Sequence, residues 1–304
     1  MPDLKVNIAG VEFKNPVIIA SGFFGYGKEY ERFYPLSQLG GVTLNGTTPV
    51  PKDGSPTPRI AETPAGVLSN TGMPNPGLEI LLHEALPQLN GSGTVVIANV
   101  AAGTADDFAR IAGLVSESCA DMIEINLAAA NIENSGLSFG VDAKSVESVV
   151  KKVRIACTKS LIVKLPPHLT QIPDLAKAAE AEGADAVSLI GTVFGMRIDI
   201  QTRHPLLKSN TGGLSGRAIF PLALRMVWQA ANAVKIPVIG IGGISRWQDA
   251  AEMLLAGAKA VEVGSALFSD PFAPIQIIDG ISNYLSDNNL RSISDLSGRV
   301  ECWK

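Results

Sequence analysis

The chain has 304 residues, 46% of them hydrophobic and 18% charged, with a formal net charge of −4. That is enough apolar material for a large core, and 30 glycines with 19 prolines announce many turns without the low complexity of disorder. The acidic balance and the lack of any basic run exclude nucleic acid and anionic membrane surfaces as expected partners.

The first residues, Met1-Pro2-Asp3-Leu4-Lys5, do not read as a signal peptide, and every apolar run is too short to span a bilayer, so a soluble cytoplasmic protein is expected. A hairpin comes next, with Val6-Asn7-Ile8 and Val11-Glu12-Phe13 joined at Ala9-Gly10. Brief apolar or β-branched runs then recur at Val17–Ile19, Gly41–Leu44, Val95–Ala98 and Met122–Ile125. A second set follows at Leu161–Leu165, Ala186–Leu189, Val238–Gly240 and Ala260–Val263. Between most of them the periodicity predicts helices over Ala105–Ser118, Ala143–Cys157, Ile172–Glu182, Leu222–Val234 and Trp247–Ala256. Near-continuous apolar strands alternating with amphipathic helices predict a parallel sheet covered on both faces. Eight such strands, most of them roughly 20–40 residues apart, predict an α/β fold of the (β/α)8 or TIM-barrel type with an N-terminal β-hairpin. Two longer gaps, Thr47 to Gly93 and Gly191 to Phe220, start just past strand C-termini and read as active-site loop insertions. No linker or composition shift divides the chain, so residues 1–304 are expected to form one domain.

The seventh apolar run leads into Gly240-Ile241-Gly242-Gly243-Ile244-Ser245 and the eighth into Gly264-Ser265-Ala266-Leu267-Phe268. Thr211-Gly212-Gly213-Leu214-Ser215-Gly216 lies in the second long gap. Strand-to-helix turns need glycine in any case. Three clusters in this order around the last strands, however, suit backbone N–H groups approaching a phosphate. A dinucleotide reading of Gly240-x-Gly242 fails, because Ser245 stands where the third glycine belongs. Cys119, Cys157 and Cys302 are far apart, without metal-ligand spacing, and their odd number argues against a disulfide framework.

With these motifs in view, the chain resembles the class 1B dihydroorotate dehydrogenase catalytic subunit from the hairpin to about Ser286. The resemblance is carried by Asn15-Pro16-Val17, the stretch Ala20 to Tyr30, Thr57-Pro58-Arg59, Gly72 to Gly77, Ile97 to Val100 and Val163-Lys164-Leu165. Thr211 to Gly216, Gly240 to Gly243 and Val263-Gly264-Ser265 complete it. It implies flavin mononucleotide (FMN) with its phosphate on Gly216, Gly242, Gly243, Gly264 and Ser265. It places the flavin ring near Ala20, Ser21, Gly22, Thr47, Asn99, Asn126 and Lys164. A lysine in an apolar barrel strand needs a negative partner, which the reduced flavin would supply; a buried structural ion pair is the alternative. The resemblance also implies a homodimer and an iron–sulfur/FAD electron-transfer subunit, whose cluster ligands would have to lie on the partner.

The departures fall on the substrate side. Asn126-Leu127-Ala128-Ala129-Ala130-Asn131 stands where the family has Asn-hydrophobe-Ser-Cys-Pro-Asn, so Ala129 takes the place of the family's catalytic base. The family's strand-end lysine aligns with Asn45, an asparagine aligns with Ser69 next to Asn70, and an Asn-Thr pair aligns with Gly191-Thr192. Asn45, Ser69, Asn70, Asn126, Asn131 and Thr192 are the candidate substrate contacts, and His168 and Glu133 the candidate replacement bases. No metal site is expected. The leading expectation is an FMN-dependent oxidoreductase acting on a C–C bond of a small cyclic or conjugated substrate other than dihydroorotate. Two alternatives stand beside it: dihydroorotate oxidation with a non-cysteine base, and a flavin-binding regulatory protein.

Overall fold

The computed structural model describes residues 2–129, 139–168 and 170–303. Strands β1 (Val6–Ile8) and β2 (Val11–Phe13) form the expected antiparallel hairpin, with Ala9 and Gly10 both at positive φ. Eight strands close a parallel barrel. They are β3 (Val17–Ile19), β4 (Gly41–Thr43), β7 (Val95–Val100), β8 (Met122–Asn126), β9 (Ser160–Leu165), β10 (Ala186–Leu189), β13 (Val238–Ile241) and β14 (Ala260–Val263). Each barrel strand pairs with the next in that order, and β14 returns to β3. The (β/α)8 expectation therefore holds.

The barrel interior is layered by the two-residue period of its strands. Ile97, Met122, Ile162, Ala186, Ile239 and Ala260 form an apolar layer that Ile8 and Phe13 of the hairpin join. Two residues further along the same strands come Asn99, Glu124, Lys164, Ser188, Ile241 and Glu262. The bottom of the barrel is a hydrophobic plug and the top is polar. That gradient places the chemistry at the strands' C-terminal ends.

The outer faces of the strands pack on helices that begin where the sequence supplies caps. Helix α3 (Ala105–Ser116) starts at Thr104, whose hydroxyl accepts from the Asp107 N–H, and α4 (Ala143–Ala156) starts at Asp142, which accepts from Ser145. Helices α5 (Ile172–Ala181), α6 (Phe220–Ala231) and α7 (Trp247–Leu255) match the periodicity to within a few residues. Helix α8 (Ala273–Asp287) was not foreseen, although Ala273, Ile277, Ile281 and Leu285 bury one face at i, i+4 spacing.

The two long gaps are more than loops. The first carries β5 (Ile60–Thr63) and β6 (Gly66–Ser69), then a helical run with α1 (Leu78–Ile80) and α2 (Leu86–Leu89). The second carries β11 (Val193–Gly195) and β12 (Gly212–Ser215). These four strands join in the order β11-β12-β6-β5 as one antiparallel sheet. Short, half-exposed strands leave little local signal, and the β12–β6 pairing that unites the two gaps spans some 145 residues.

Candidate active site

A cavity of about 300 Å³ opens at the C-terminal mouth of the barrel, between the strand ends and the four-stranded sheet. Ala20, Ser21, Gly22, Asn126 and Lys164 line it on the barrel side, and Gly242, Gly243, Gly264 and Ser265 line it beyond β13 and β14. Asn45, Ser69, Asn70, Thr192 and Ala129 line it as well. Thus most residues singled out from the sequence converge on one space.

Three of the cofactor candidates do not reach that lining. Thr47 is buried, with its hydroxyl on the Asn45 carbonyl (3.2 Å) and near the Tyr26 hydroxyl (3.4 Å). Asn99 is buried behind Gly46, where a Cβ would sit 3.0 Å from Asn99 Oδ1. Gly216 packs on the lid sheet: its φ is +98°, and a Cβ there would lie 2.6 Å from Gly66 Cα. The glycine at 216 is explained by that crossing of two backbones. Asn131 and Glu133 lie outside the described residues. His168 follows β9 at the correct end but does not line the cavity.

The loops beyond β13 and β14 are built from tight backbone. Gly242 and Gly243 have φ of +122° and +75°, and a Cβ on Gly243 would lie 2.7 Å from Phe220 Cβ. Asp249 of α7 fixes the turn that follows, accepting from the Ser245 N–H (2.9 Å), the Ser245 hydroxyl (3.0 Å) and the Arg246 N–H (3.1 Å). The N–H groups of Gly243, Ile244 and Ser265 meet no acceptor among the described residues. On the far side, Gly264 passes so close to Phe23 that a Cβ would lie 2.8 Å from its ring.

At the floor sits a charged cluster. The Lys164 ammonium lies 3.5 Å from Glu124 and 3.4 Å from Glu262, with all three side chains buried. Glu124 also accepts from Asn99 Nδ2 (2.5 Å) and the Ser188 hydroxyl (2.6 Å), whereas Glu262 lies 3.4 Å from the Thr43 hydroxyl and shares a hydrogen bond with Glu124. Burial opposes the Lys164 charge, but the two carboxylates overcome it and hold the ammonium above the ordinary lysine range. Burial, and then the nearby Glu124 charge, push the Glu262 carboxyl up to about 8 despite the lowering effect of Lys164. The sequence reading supplied Lys164 and overlooked both glutamates. The same signal was available for them, a charged residue inside an otherwise apolar strand.

The substrate-facing wall is bland. Ala128 and Ala129 line it opposite Gly191, where a Cβ would lie 2.7 Å from Ala128 Cβ. Asn126 Oδ1 accepts from the Ala128 N–H (3.2 Å), shaping this turn, and Asn45 Oδ1 accepts from the Gly22 N–H (3.1 Å). Cys119 and Cys302 are exposed, Cys157 is buried beside Lys159, and none of the three lines the cavity. No His, Cys, Asp or Glu group among the described residues could hold a metal ion.

The dihydroorotate dehydrogenase family model matches residues 3–285. The chain belongs to the dihydroorotate dehydrogenase family. It is 46% identical to the dihydroorotate dehydrogenase B (NAD(+)) catalytic subunit of Bacteroides fragilis over 302 residues, covering 99% of this chain and all of that one. The protein of the same name from Thermoanaerobacter pseudethanolicus is 45% identical, over 98% of this chain and 99% of that one. A solved structure of DHODH from Eimeria tenella, in complex with ferulenol, superposes with a TM-score of 0.82 at 23% identity, covering 98% of this chain and 88% of that one. Members of the family are FMN-dependent oxidoreductases acting on CH–CH groups, and this chain is one of them. No helix among the described residues is long and apolar enough to cross a membrane.

Proposed function

We propose that the chain oxidises dihydroorotate, with FMN held in the barrel-mouth cavity and a group other than a cysteine receiving the substrate proton. The observation that carries this reading is full-length identity of 45–46% to proteins named dihydroorotate dehydrogenase B, joined to a cavity that gathers the expected residues. On this point the alternative weighed from the sequence is better supported than the leading expectation of a different substrate.

The residues suit the cofactor. The N–H groups of Gly243, Ile244 and Ser265 lack protein acceptors among the described residues, as a phosphate cradle requires. Among the residues lining the cavity Lys164 is the cation, so the phosphate would be held by backbone dipoles rather than by a side-chain charge. The buried Asn99 Oδ1 has no partner among the described residues, which leaves an acceptor near the expected ring position. FMN, when bound, supplies the hydride acceptor. The chain itself orients the substrate through Asn126, Asn70 and Thr192, and the four-stranded sheet limits the access of water to the mouth. Ala129 holds no proton, so Glu133 and His168 are the side chains to test as bases.

A second reading, oxidation or reduction of a less polar ring, is favoured by the Ala128, Ala129 and Gly191 wall. One assay separates the two: steady-state turnover of dihydroorotate by flavin-loaded protein, with several electron acceptors. Turnover is expected. A flavin-loaded protein that leaves dihydroorotate untouched yet is oxidised by enone substrates would move the reading to the second. We also propose a separate electron-transfer subunit, since the relatives are named catalytic subunits, and a homodimer; light scattering with and without such a partner tests both.

A further inference from the structure

We infer that Glu262 is a positioning residue that sets, through Lys164, how much positive charge this site offers to whatever binds above it. Lys164 stands between two carboxylates, so its charge is cancelled once by Glu124 and, when Glu262 is ionised, outweighed by the pair. Glu124 accepts two short hydrogen bonds, from Asn99 and Ser188. Glu262 has no comparable support. Its oxygens lie 3.4 Å from the Thr43 hydroxyl and from Lys164, and its carboxyl shares a hydrogen bond with Glu124 that favours the protonated form, so a proton entering the cluster settles on Glu262.

Glu262 also borders the cavity, although its side chain is fully buried. The charged groups facing it are Lys164 on β9 and Glu124 on β8. Thr43 on β4 is polar, and the flanking β3 and β13 contribute only Val17, Ile18, Ile19 and Val238, Ile239, Gly240, Ile241. Helix α7 packs against β14, and its buried Asp249 is taken up by Ser245 and Arg246. With Glu262 protonated the cluster is neutral; with it ionised the cluster carries one negative charge. The step is a simple proton transfer between the carboxyl and water, with no bond to carbon and no electron moved. The burial of the group and the repulsion from Glu124 place this change at about pH 8.

Two measurements test this, and only the second rests on the FMN reading. In the protein alone, infrared difference spectra between pH 6 and pH 10 should contain the carbonyl band of a buried protonated carboxyl that titrates away above neutrality, and Glu262→Gln should lack it. No such band, or a band that persists in the variant, overturns the inference whether or not flavin binds. In the flavin-loaded protein, the FMN midpoint potential should fall more steeply once Glu262 ionises. The extra fall is up to tenfold in the reduction equilibrium per pH unit, about 30 mV per pH unit for two electrons. Glu262→Gln should follow the wild type below pH 7 and lack the steepening above pH 8. Identical slopes in the two proteins would overturn the inference. A protein that takes up no FMN would sink the cofactor reading instead, and the infrared result would still decide the role of Glu262.

Discussion

Replacing Lys164 with methionine tests the physical basis of the barrel floor directly. The substitution keeps most of the side-chain volume and removes the cation that lies 3.4 Å and 3.5 Å from two buried carboxylates. Breaking a buried pair by deleting one partner costs about 3–5 kcal/mol, because the remaining charge has no compensation. The pH dependence carries the sharper test. In the wild type the Glu262 carboxyl is raised to about 8 in the folded state. Its contribution to stability is fully present below the unfolded carboxyl range and is lost as pH rises towards 8. In Lys164→Met the cation no longer holds the Glu262 carboxyl down, so the loss continues to higher pH than in the wild type. Such a group lowers stability by about 1.4 kcal/mol per pH unit while the unfolded chain is ionised and the folded one is not. Urea unfolding followed by circular dichroism at pH 5.5, 7 and 8.5 should therefore give a deficit that widens with pH. The double variant Lys164→Met/Glu262→Gln should recover part of it, a coupling that a mutant cycle isolates. A deficit below about 1 kcal/mol at pH 8.5, or one independent of pH, would refute the assignment of charges.

Three further outcomes follow from the site. Ala129→Cys restores a titratable group on the cavity wall, and a positioned general base is worth roughly 10²–10⁴-fold, so kcat with dihydroorotate should rise towards that range, read as a pH–rate profile. Gly243→Ala combines positive-φ strain with a contact 2.7 Å from Phe220 Cβ, whereas Gly91→Ala has the strain (φ +77°) and nothing within 4 Å; only the first should weaken FMN binding, by flavin fluorescence titration, while both lower Tm. Asp249→Ala removes three hydrogen bonds that hold the turn after Gly243, and should cost about 1–3 kcal/mol in thermal unfolding together with weaker FMN retention on gel filtration.

The barrel was legible because its strands are buried on both faces and its helices on one, which writes two different periods into the chain. The hairpin at Ala9-Gly10 and the caps at Thr104 and Asp142 are likewise local devices. The lid sheet was not legible. Ile60–Thr63 alternates between half-buried and exposed positions, and β12 is Gly212-Gly213-Leu214-Ser215, which has little strand propensity of its own. Its glycines let the backbones of two distant insertions meet, with Gly216 against Gly66 and Gly212 against the Ser69 carbonyl. The sequence expectation places a phosphate beside the same stretch, and Gly212 and Gly213 do line the cavity. A glycine reports close approach, and the sequence does not say whether the thing approached is a ligand or another strand.

The floor of the site repeats the lesson from the opposite side. Lys164 is conspicuous as one charge in an apolar strand, and the sequence offers it two partners, the flavin first and a buried ion pair as the alternative. The two-residue period of β8, β9 and β14 puts Glu124, Lys164 and Glu262 in the same interior layer, so the partners were protein groups written just as plainly in their own strands. Pairing within the barrel does not remove Lys164 from the chemistry, because it and Glu262 both line the cavity. It changes what the lysine contributes. A lone cation would bias the site towards anions at every pH. A cation held between two carboxylates, one of them loosely held, gives a bias that the gain or loss of a single proton changes.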